Sequence, residues 1–341
     1  MARLKKTLEI RTSPHILSGD SVDTIMFNVV LAMLPVTGFA VYAFGLAGAL
    51  TLSTAVLSCV LTEHLVCKLS GRRTTVGDYS ITITGMLYGL TLPPSLPLWM
   101  VAVGGIIAVL LGKALFGGLG SNPFNPALVA RTVLQASFPV AMTSWMPAFA
   151  ADRFTSLPSS TLTLPFTAPV YDVLTGATPL ALWKFERGIT GVKELAFGFT
   201  SGSAGETSAV LILLGGAYLI ARNMMSWRIP LAIFISVTVF SGMLYMLDSD
   251  RYASPTFHLL AGGLMLGAVF MATDMVGSPM SNLGKCIYGA LIGLLTVVIR
   301  TWGGMPEGVM YAILFGNAIS PHLDRLIKPR VYGTSGQGKA A

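Results

Sequence analysis

The sequence predicts an all-α polytopic membrane protein of about ten transmembrane helices, folded as two inverted five-helix repeats with broken helices. Three observations carry this expectation. The 341 residues are 53% hydrophobic and only 11% charged, with mean hydropathy +0.71; a soluble domain carries roughly 25% charged residues. Apolar runs near the roughly 20 residues of a membrane-crossing helix follow one another along the chain. Short motifs also recur at a fixed offset. Ser18-Gly19-Asp20-Ser21 precedes the first apolar run and Ala204-Gly205-Glu206-Thr207 the sixth, 186 positions later. Gly117-Gly118 returns as Gly303-Gly304 at the same offset.

The apolar runs place spans at about 25–44, 46–67, 79–93, 97–116 and 125–139, then at about 208–224, 229–247, 256–273, 284–300 and 308–324. The third and fifth are short for a full crossing. Each abuts a break, Pro93-Pro94 after the third and the run Gly117 to Pro123 before the fifth. Short, Gly/Pro-interrupted segments at matching places in two halves predict discontinuous helices around a midplane pathway. Between the matching ends the register slips slightly, so that Thr91-Leu92 corresponds to Thr273-Asp274. Five spans per half is an odd number, so the halves have opposite topology. The expected divisions are an N-terminal segment 1–24, a first membrane repeat 25–139, an intervening loop 140–207, a second repeat 208–324 and a tail 325–341.

Charge placement sets the orientation. Lys and Arg predominate on cytoplasmic flanks of membrane spans. With the N-terminus inside, Arg3, Lys5, Lys6, Arg11, Lys68, Arg72, Arg73, Lys113, Arg222, Arg228, Lys285, Arg325, Lys328, Arg330 and Lys339 fall inside or at the inner edge, 15 of 22 basic residues. Both termini are therefore expected in the cytoplasm and the 140–207 loop outside. A nucleic-acid surface is the rival use of a +7 net charge; no basic cluster has the amphipathic or aromatic-interleaved context it needs. Cys59, Cys67 and Cys286 lack metal-ligand spacing and read as apolar filler. The start of the chain carries no compact signal peptide with a cleavage site, so the first span is expected to stay as an anchor.

The outer loop holds six prolines from Pro139 to Pro179 and a Ser/Thr-rich stretch, but also Trp145, Phe149, Phe166, Tyr171, Trp183 and Phe185. The aromatics favour a partly ordered cover over a disordered linker. Within it lies Asp172-Val173-Leu174-Thr175-Gly176-Ala177-Thr178-Pro179. A phosphoester needs an accessible hydroxyl. Gly176 permits a sharp turn whose backbone approaches a phosphate, Ala177 adds almost no bulk, and Pro179 biases Thr178 to extended backbone, which would hold its hydroxyl outward. Asp172 could orient a metal-bound flavin donor during attachment. A plain surface turn is the alternative reading. The pattern Asp-x-x-Ser/Thr-Gly-Ala-Thr is similar to the signal for covalent attachment of FMN through its phosphate to the last threonine.

Other polar groups interrupt the apolar pattern. Ser203, Gly205, Glu206 and Thr207 open the sixth span and fit either contact with a flavin or ordinary capping, Ser203 or Thr207 as N-cap and Glu206 in the first turn. Asn122-Pro123-Phe124-Asn125-Pro126 opens the fifth, where Asn125 either caps the helix or lines a cavity. Arg131 follows within that span and either pairs with an anionic flavin or snorkels outward. Asp274 and Thr273 end the eighth span, at a break matching Thr91. With Glu63, His64 and Asp78 they fit a cation or proton path, or else solvated helix ends near the headgroups. Lys285 is a possible neutraliser of Asp274. No nucleotide fingerprint or iron–sulfur cysteine run is present.

The chain resembles the D subunit of the Rnf electron-transport complex, and is similar to the B subunit of the sodium-translocating NADH:quinone reductase. The resemblance runs from Ser13-Pro14-His15 to Pro321-His322. It rests on Gly118 to Ala127, Gly202 to Ser208 and Phe270-Met271-Ala272-Thr273-Asp274, together with the flavinylation motif. The chain is shorter at both ends than its quinone-reductase counterpart, which favours the Rnf reading. Met275 stands where the family often has proline. The resemblance implies FMN on Thr178, attached by a separate flavin transferase, and leaves room for a second, noncovalent flavin. It implies a bacterial inner-membrane complex whose other subunits bind ferredoxin and NAD, coupling their redox chemistry to Na+ or H+ transport. A small-solute channel and a non-redox scaffold are the alternatives that the spans alone would permit.

Overall fold

The computed structural model describes residues 21–165, 167, 176–188, 190–206 and 208–328. All regular structure among them is helical. The α-helices are α1 Val22–Leu69, α2 Ser80–Leu90, α3 Leu98–Leu110, α4 Pro126–Ser137, α5 Pro139–Thr143, α6 Pro179–Ala181, α7 Val192–Phe197, α8 Ala209–Ala221, α9 Arg228–Leu247, α10 Pro255–Leu260, α11 Leu264–Leu266, α12 Asn282–Trp302 and α13 Val309–Leu326. Four helices are long and apolar enough to cross a membrane: Val22–Leu69, Leu98–Phe116 (α3 with the short turn after it), Arg228–Leu247 and Asn282–Trp302. Large apolar side chains stand exposed along their outer faces, among them Leu57, Leu61, Ile106, Leu231, Ile235 and Val239. A continuous apolar surface of this kind fits lipid rather than water.

The 48 residues of α1 are a hairpin, not a rod. A straight helix of that length would run roughly 70 Å. Instead both arms end at the same turn: Phe27 packs on Tyr79 with ring centroids 5.3 Å apart, and Glu63 accepts from Thr75. The corner is Gly45, at φ 62° and ψ −137°. A Cβ there would collide with the Arg153 carbonyl oxygen, and the Leu46 amide donates to that same oxygen at 2.9 Å. The sequence expectation of separate runs on either side of residue 45 is met at this corner.

The first arm opens on Ser21, whose hydroxyl accepts from the Thr24 amide at 3.2 Å. The second arm packs on α2 and α3, and α3 on α4. In the second half α9 packs along α12, and α12 along α13. Close approach there requires Gly289, since a Cβ on it would sit 2.8 Å from the Ile229 carbonyl. Ser236 of α9 donates to the Ala290 carbonyl at 2.7 Å across the same interface. The halves meet through α1 and α8, where the Tyr218 hydroxyl donates to Asn28 Oδ1 at 2.6 Å, and through α4 and α13.

Several elements near the middle are short or interrupted. Helix α2 stops at Thr91. The eighth apolar run divides into α10, α11 and a wide turn, Gly267–Met271. These broken pieces touch: Asn125 Nδ2 donates to the Met271 carbonyl at 3.4 Å, and the Ala204 amide to the Leu92 carbonyl at 3.3 Å. Backbone groups freed by the breaks thus find partners inside the protein, as they must in an apolar solvent.

Candidate functional site

The described residues of the segment 139–206 fold back onto the helices. Ser95 donates to the Ser144 carbonyl at 3.0 Å, Ser160 to the Ser95 carbonyl at 2.8 Å and the Leu98 amide to the Thr161 carbonyl at 3.1 Å. Gly176 is held by its amide on the Trp145 carbonyl at 2.9 Å. A Cβ on Gly176 would collide with Ser201 Oγ, so only glycine fits this turn without displacing Ser201. Asp172, Thr175 and Thr207 lie outside the described residues.

Thr178 has the extended backbone that a following proline imposes, φ −69° and ψ 152°. Its hydroxyl, however, does not point outward. The residue is 2% exposed, and Oγ1 accepts from the Ala181 amide at 3.2 Å. The expectation of a freely accessible hydroxyl is corrected here: an extended backbone followed by a proline-started turn is the geometry of an N-cap, which turns the hydroxyl back onto the chain. The hydroxyl proton has no acceptor among the described residues.

Beside this loop lies a set of buried charges that joins the two halves. Arg131 of α4 forms an ion pair with Glu307, in the turn between α12 and α13. Arg131 is 5% exposed and does not snorkel. Glu206 stands next to Glu307 and accepts from the Ser203 hydroxyl at 2.7 Å. Although Glu206 keeps some exposed surface, its carboxyl is enclosed. That desolvation, with the negative charge of Glu307 second, pushes it up to about 8, against the lowering effect of Arg131 and of Ser203. Arg300 completes the set and lines one cavity with Arg131, Ser203, Glu307 and Thr91. Gly205 lets its turn lie on Leu90 and Leu266.

Ordinary capping of α8 does not fall to Ser203. Ser208 is the N-cap, accepting from the Leu211 amide at 3.4 Å. Glu206 therefore belongs to the turn Ala204–Glu206 before the helix, where the helix dipole is not its main partner.

A second polar cluster lies toward the other ends of the helices. Glu63 is buried and pairs with buried Lys113 at 2.7 Å, and Lys113 also donates to Ser80 Oγ at 2.9 Å. The reading of Glu63 as a solvated helix end is overturned, because Glu63 is buried against Lys113 and Thr75. Lys113, Ser80, Thr84, Asn122, Thr273 and Asp274 share one cleft with apolar walls from Ile83, Leu87 and Phe270. Asn125 lines it too and caps α4, accepting from the Ala127 amide at 3.0 Å. Asp274 accepts from the Val276 amide at 3.2 Å. The ion pairs seen among the described residues do not join it to Lys285.

Thr91 and Thr273, matched in sequence, thus line opposite cavities. Thr91 donates to the Tyr88 carbonyl at 2.7 Å and Thr273 to the Val269 carbonyl at 2.5 Å. The residues that sequence reasoning passed over are Lys113, Arg300, Glu307, Lys184 and His258. A signal for the first two was present: each lies just before a Gly-Gly pair, Gly117-Gly118 or Gly303-Gly304. Glu307 is the one carboxylate between Asp274 and Asp324.

Comparison with known proteins gives a consistent result. The family model described as the NQR2, RnfD, RnfE family matches residues 9–333. The chain is 38% identical over 348 residues to the D subunit of the proton-translocating ferredoxin:NAD(+) oxidoreductase complex of Clostridium ljungdahlii, covering 98% of each chain. It is 40% identical over 334 residues to the D subunit of the Na(+)-translocating ferredoxin:NAD(+) oxidoreductase complex of Acetobacterium woodii, covering 96% of each. It is 38% identical over 347 residues to the D subunit of the ion-translocating oxidoreductase complex of Halorhodospira halophila, covering 97% of each.

Proposed function

The chain belongs to the NQR2, RnfD, RnfE family, and on that premise we propose that it is the membrane-embedded, FMN-carrying subunit of a complex coupling electron flow between ferredoxin and NAD to Na+ or H+ transport. FMN is joined through its phosphate to Thr178 by a separate flavin transferase. Ferredoxin and NAD bind other subunits. The chain crosses the inner membrane of a bacterium ten times, as two inverted units with cytoplasmic termini, and holds the flavin loop outside. The Clostridium ljungdahlii complex is named as proton-translocating and the Acetobacterium woodii complex as Na(+)-translocating.

The observation that carries this reading is where the Thr178 segment is anchored. Six residues past Thr178, Lys184 is fixed on carbonyls of Arg300, Gly303 and Met305, next to Glu307 and the charges between the halves. Thr178 suits a phosphoester once the turn from Thr178 to Ala181 opens to the transferase. Esterification removes a proton that has no acceptor among the described residues, and an ester oxygen still accepts from the Ala181 amide. When bound, the flavin supplies the redox chemistry, and the protein supplies position and electrostatics. The inner cleft is the second element of the reading. Asp274 and Thr273 give it oxygen ligands for a cation or proton, while Asn122, Asn125 and Thr84, set against apolar walls, suit a second, noncovalent flavin.

The test is flavin fluorescence of the denatured protein band, comparing the wild type with Thr178→Ala, each produced with a flavin transferase. Fluorescence in the wild type that is lost in the variant supports attachment at Thr178. A dark wild-type band with an active transferase overturns it and leaves a channel or scaffold. In the assembled complex, Asp274→Asn is expected to abolish coupled ion transport. Full coupling in that variant removes Asp274 from the path.

A further inference from the structure

Leu180 and Trp183, two and five residues beyond Thr178, line an open cleft of about 240 Å³. Four cations also line it, Lys184, Arg187, Arg251 and Arg300, and no carboxylate is found among its described lining residues. Four like charges lining one cavity favour an anionic occupant, although Arg300 also faces Glu307 in the neighbouring cavity. Its walls are aromatic. Trp183 packs near Phe257 with centroids 6.0 Å apart, and Tyr252 near Trp302 at 6.4 Å. Arg187 lies 5.6 Å over the Trp183 ring and Arg251 5.7 Å over Tyr252.

Two further groups are unfinished. Arg300 is 5% exposed and His258 7%. Arg300 gives Nη1 to the His258 carbonyl at 2.5 Å and Nη2 to the Ala261 carbonyl at 2.8 Å. Its Nε and the His258 Nδ1 are buried with no partner. A buried polar atom left unsatisfied costs about 1–3 kcal/mol, so such atoms point to a missing ligand. Cationic rim, aromatic walls and two unspent polar atoms together describe a receptor for a planar, electron-rich ring with acceptor atoms on its edge.

We propose that this cleft seats the isoalloxazine ring of the flavin carried on Thr178, with Trp183 against the ring face and Arg300 Nε and His258 Nδ1 on its polar edge. The inference rests on the attachment at Thr178. Leu180 connects the two places: a Cβ on Gly262 would lie 2.6 Å from Leu180 Cδ1 and 3.2 Å from Arg300 Nη2. Arg187 and Arg251 stabilise the negative charge that the ring gains on reduction. Arg300 also lines the cavity of Arg131 and Glu307, so the ring's charge acts on the buried set through one shared guanidinium.

The test uses the full complex, flavinylated in cells, with Trp183→Leu and the exposed Arg251→Gln as variants. Denatured-band fluorescence is expected to equal the wild type in both. Native flavin emission is expected to rise several-fold in Trp183→Leu, because stacked tryptophan quenches it. The flavin reduction potential is expected to fall in Arg251→Gln. Fully labelled variants with unchanged native emission and unchanged potential place the ring elsewhere and overturn this inference while leaving Thr178 attachment standing. A dark denatured band in the wild type removes both.

Discussion

Lys184 donates its ammonium to the main-chain oxygen of Arg300 at 3.3 Å and to that of Met305 at 3.1 Å, with Gly303 between them. One side chain thereby satisfies carbonyls at the end of α12 that have no helical partner. It also fixes the segment after Thr178 to the second half of the fold. Partial burial lowers the pKa of Lys184, so this clamp is weaker in alkali than an exposed lysine would be. Lys184→Met is expected to cost about 1.5–3 kcal/mol, the range for hydrogen bonds from a charged group. Thermal unfolding in detergent checks the magnitude, and limited proteolysis should show faster cleavage within 179–190.

Glu206 governs a pH dependence with a defined sign. Its folded pKa of about 8 lies above the ordinary 4.5, because burial and then Glu307 disfavour the carboxylate. A raised folded pKa means that the native state holds the proton more tightly than the unfolded chain. The resulting stability is fully present below about 4.5 and is lost as pH rises through 8. Glu206→Gln keeps the neutral form at every pH. Its unfolding temperature, compared with the wild type, should therefore vary less between pH 5 and 9.

Both partners of the Glu63–Lys113 pair are buried. Removing one partner of a buried pair leaves an uncompensated charge and typically costs 3–5 kcal/mol, whereas replacing both is far milder. Lys113→Met alone is expected to destabilise by about that amount. Glu63→Gln combined with Lys113→Met should recover most of the loss. A double-mutant cycle on detergent-solubilised protein measures the coupling, and strict additivity would contradict it.

Gly289 sets the distance between α9 and α12. A methyl group there would press on the Ile229 backbone at 2.8 Å and on Ala232 at 2.7 Å. Backbone cannot rotate away as a side chain can. Gly289→Ala is expected to cost about 1–3 kcal/mol by overpacking, read as a drop in unfolding temperature with no change in covalent flavin.

Much of the framework was legible because a membrane's constraints are written in composition. Apolar runs, the break at Gly45 and the short segments beside Pro93-Pro94 and Gly117-Gly118 all have local causes. The site was legible only in part. Asn125 and Arg131 stood out as polar residues in apolar surroundings, but Arg131's partner, Glu307, is 176 positions away, and no local pattern reports such a pair. The placement of Thr178 shows a different limit. Its backbone follows from Pro179, yet the direction of its hydroxyl depends on whether the next residues form a turn. Lys184 and His258 read as loop and span residues until the fold brings them to one cleft.

Arg153 ties the segment between the two halves to the bend of α1. Its carbonyl closes the Gly45 corner, its Nε donates to the Tyr42 carbonyl at 2.9 Å, and its guanidinium lies over Tyr42 and Phe149. That segment is thus moored at Arg153 to the first half and at Lys184 to the second. Thr178 stands six residues from the second mooring, so its position follows the second half of the fold.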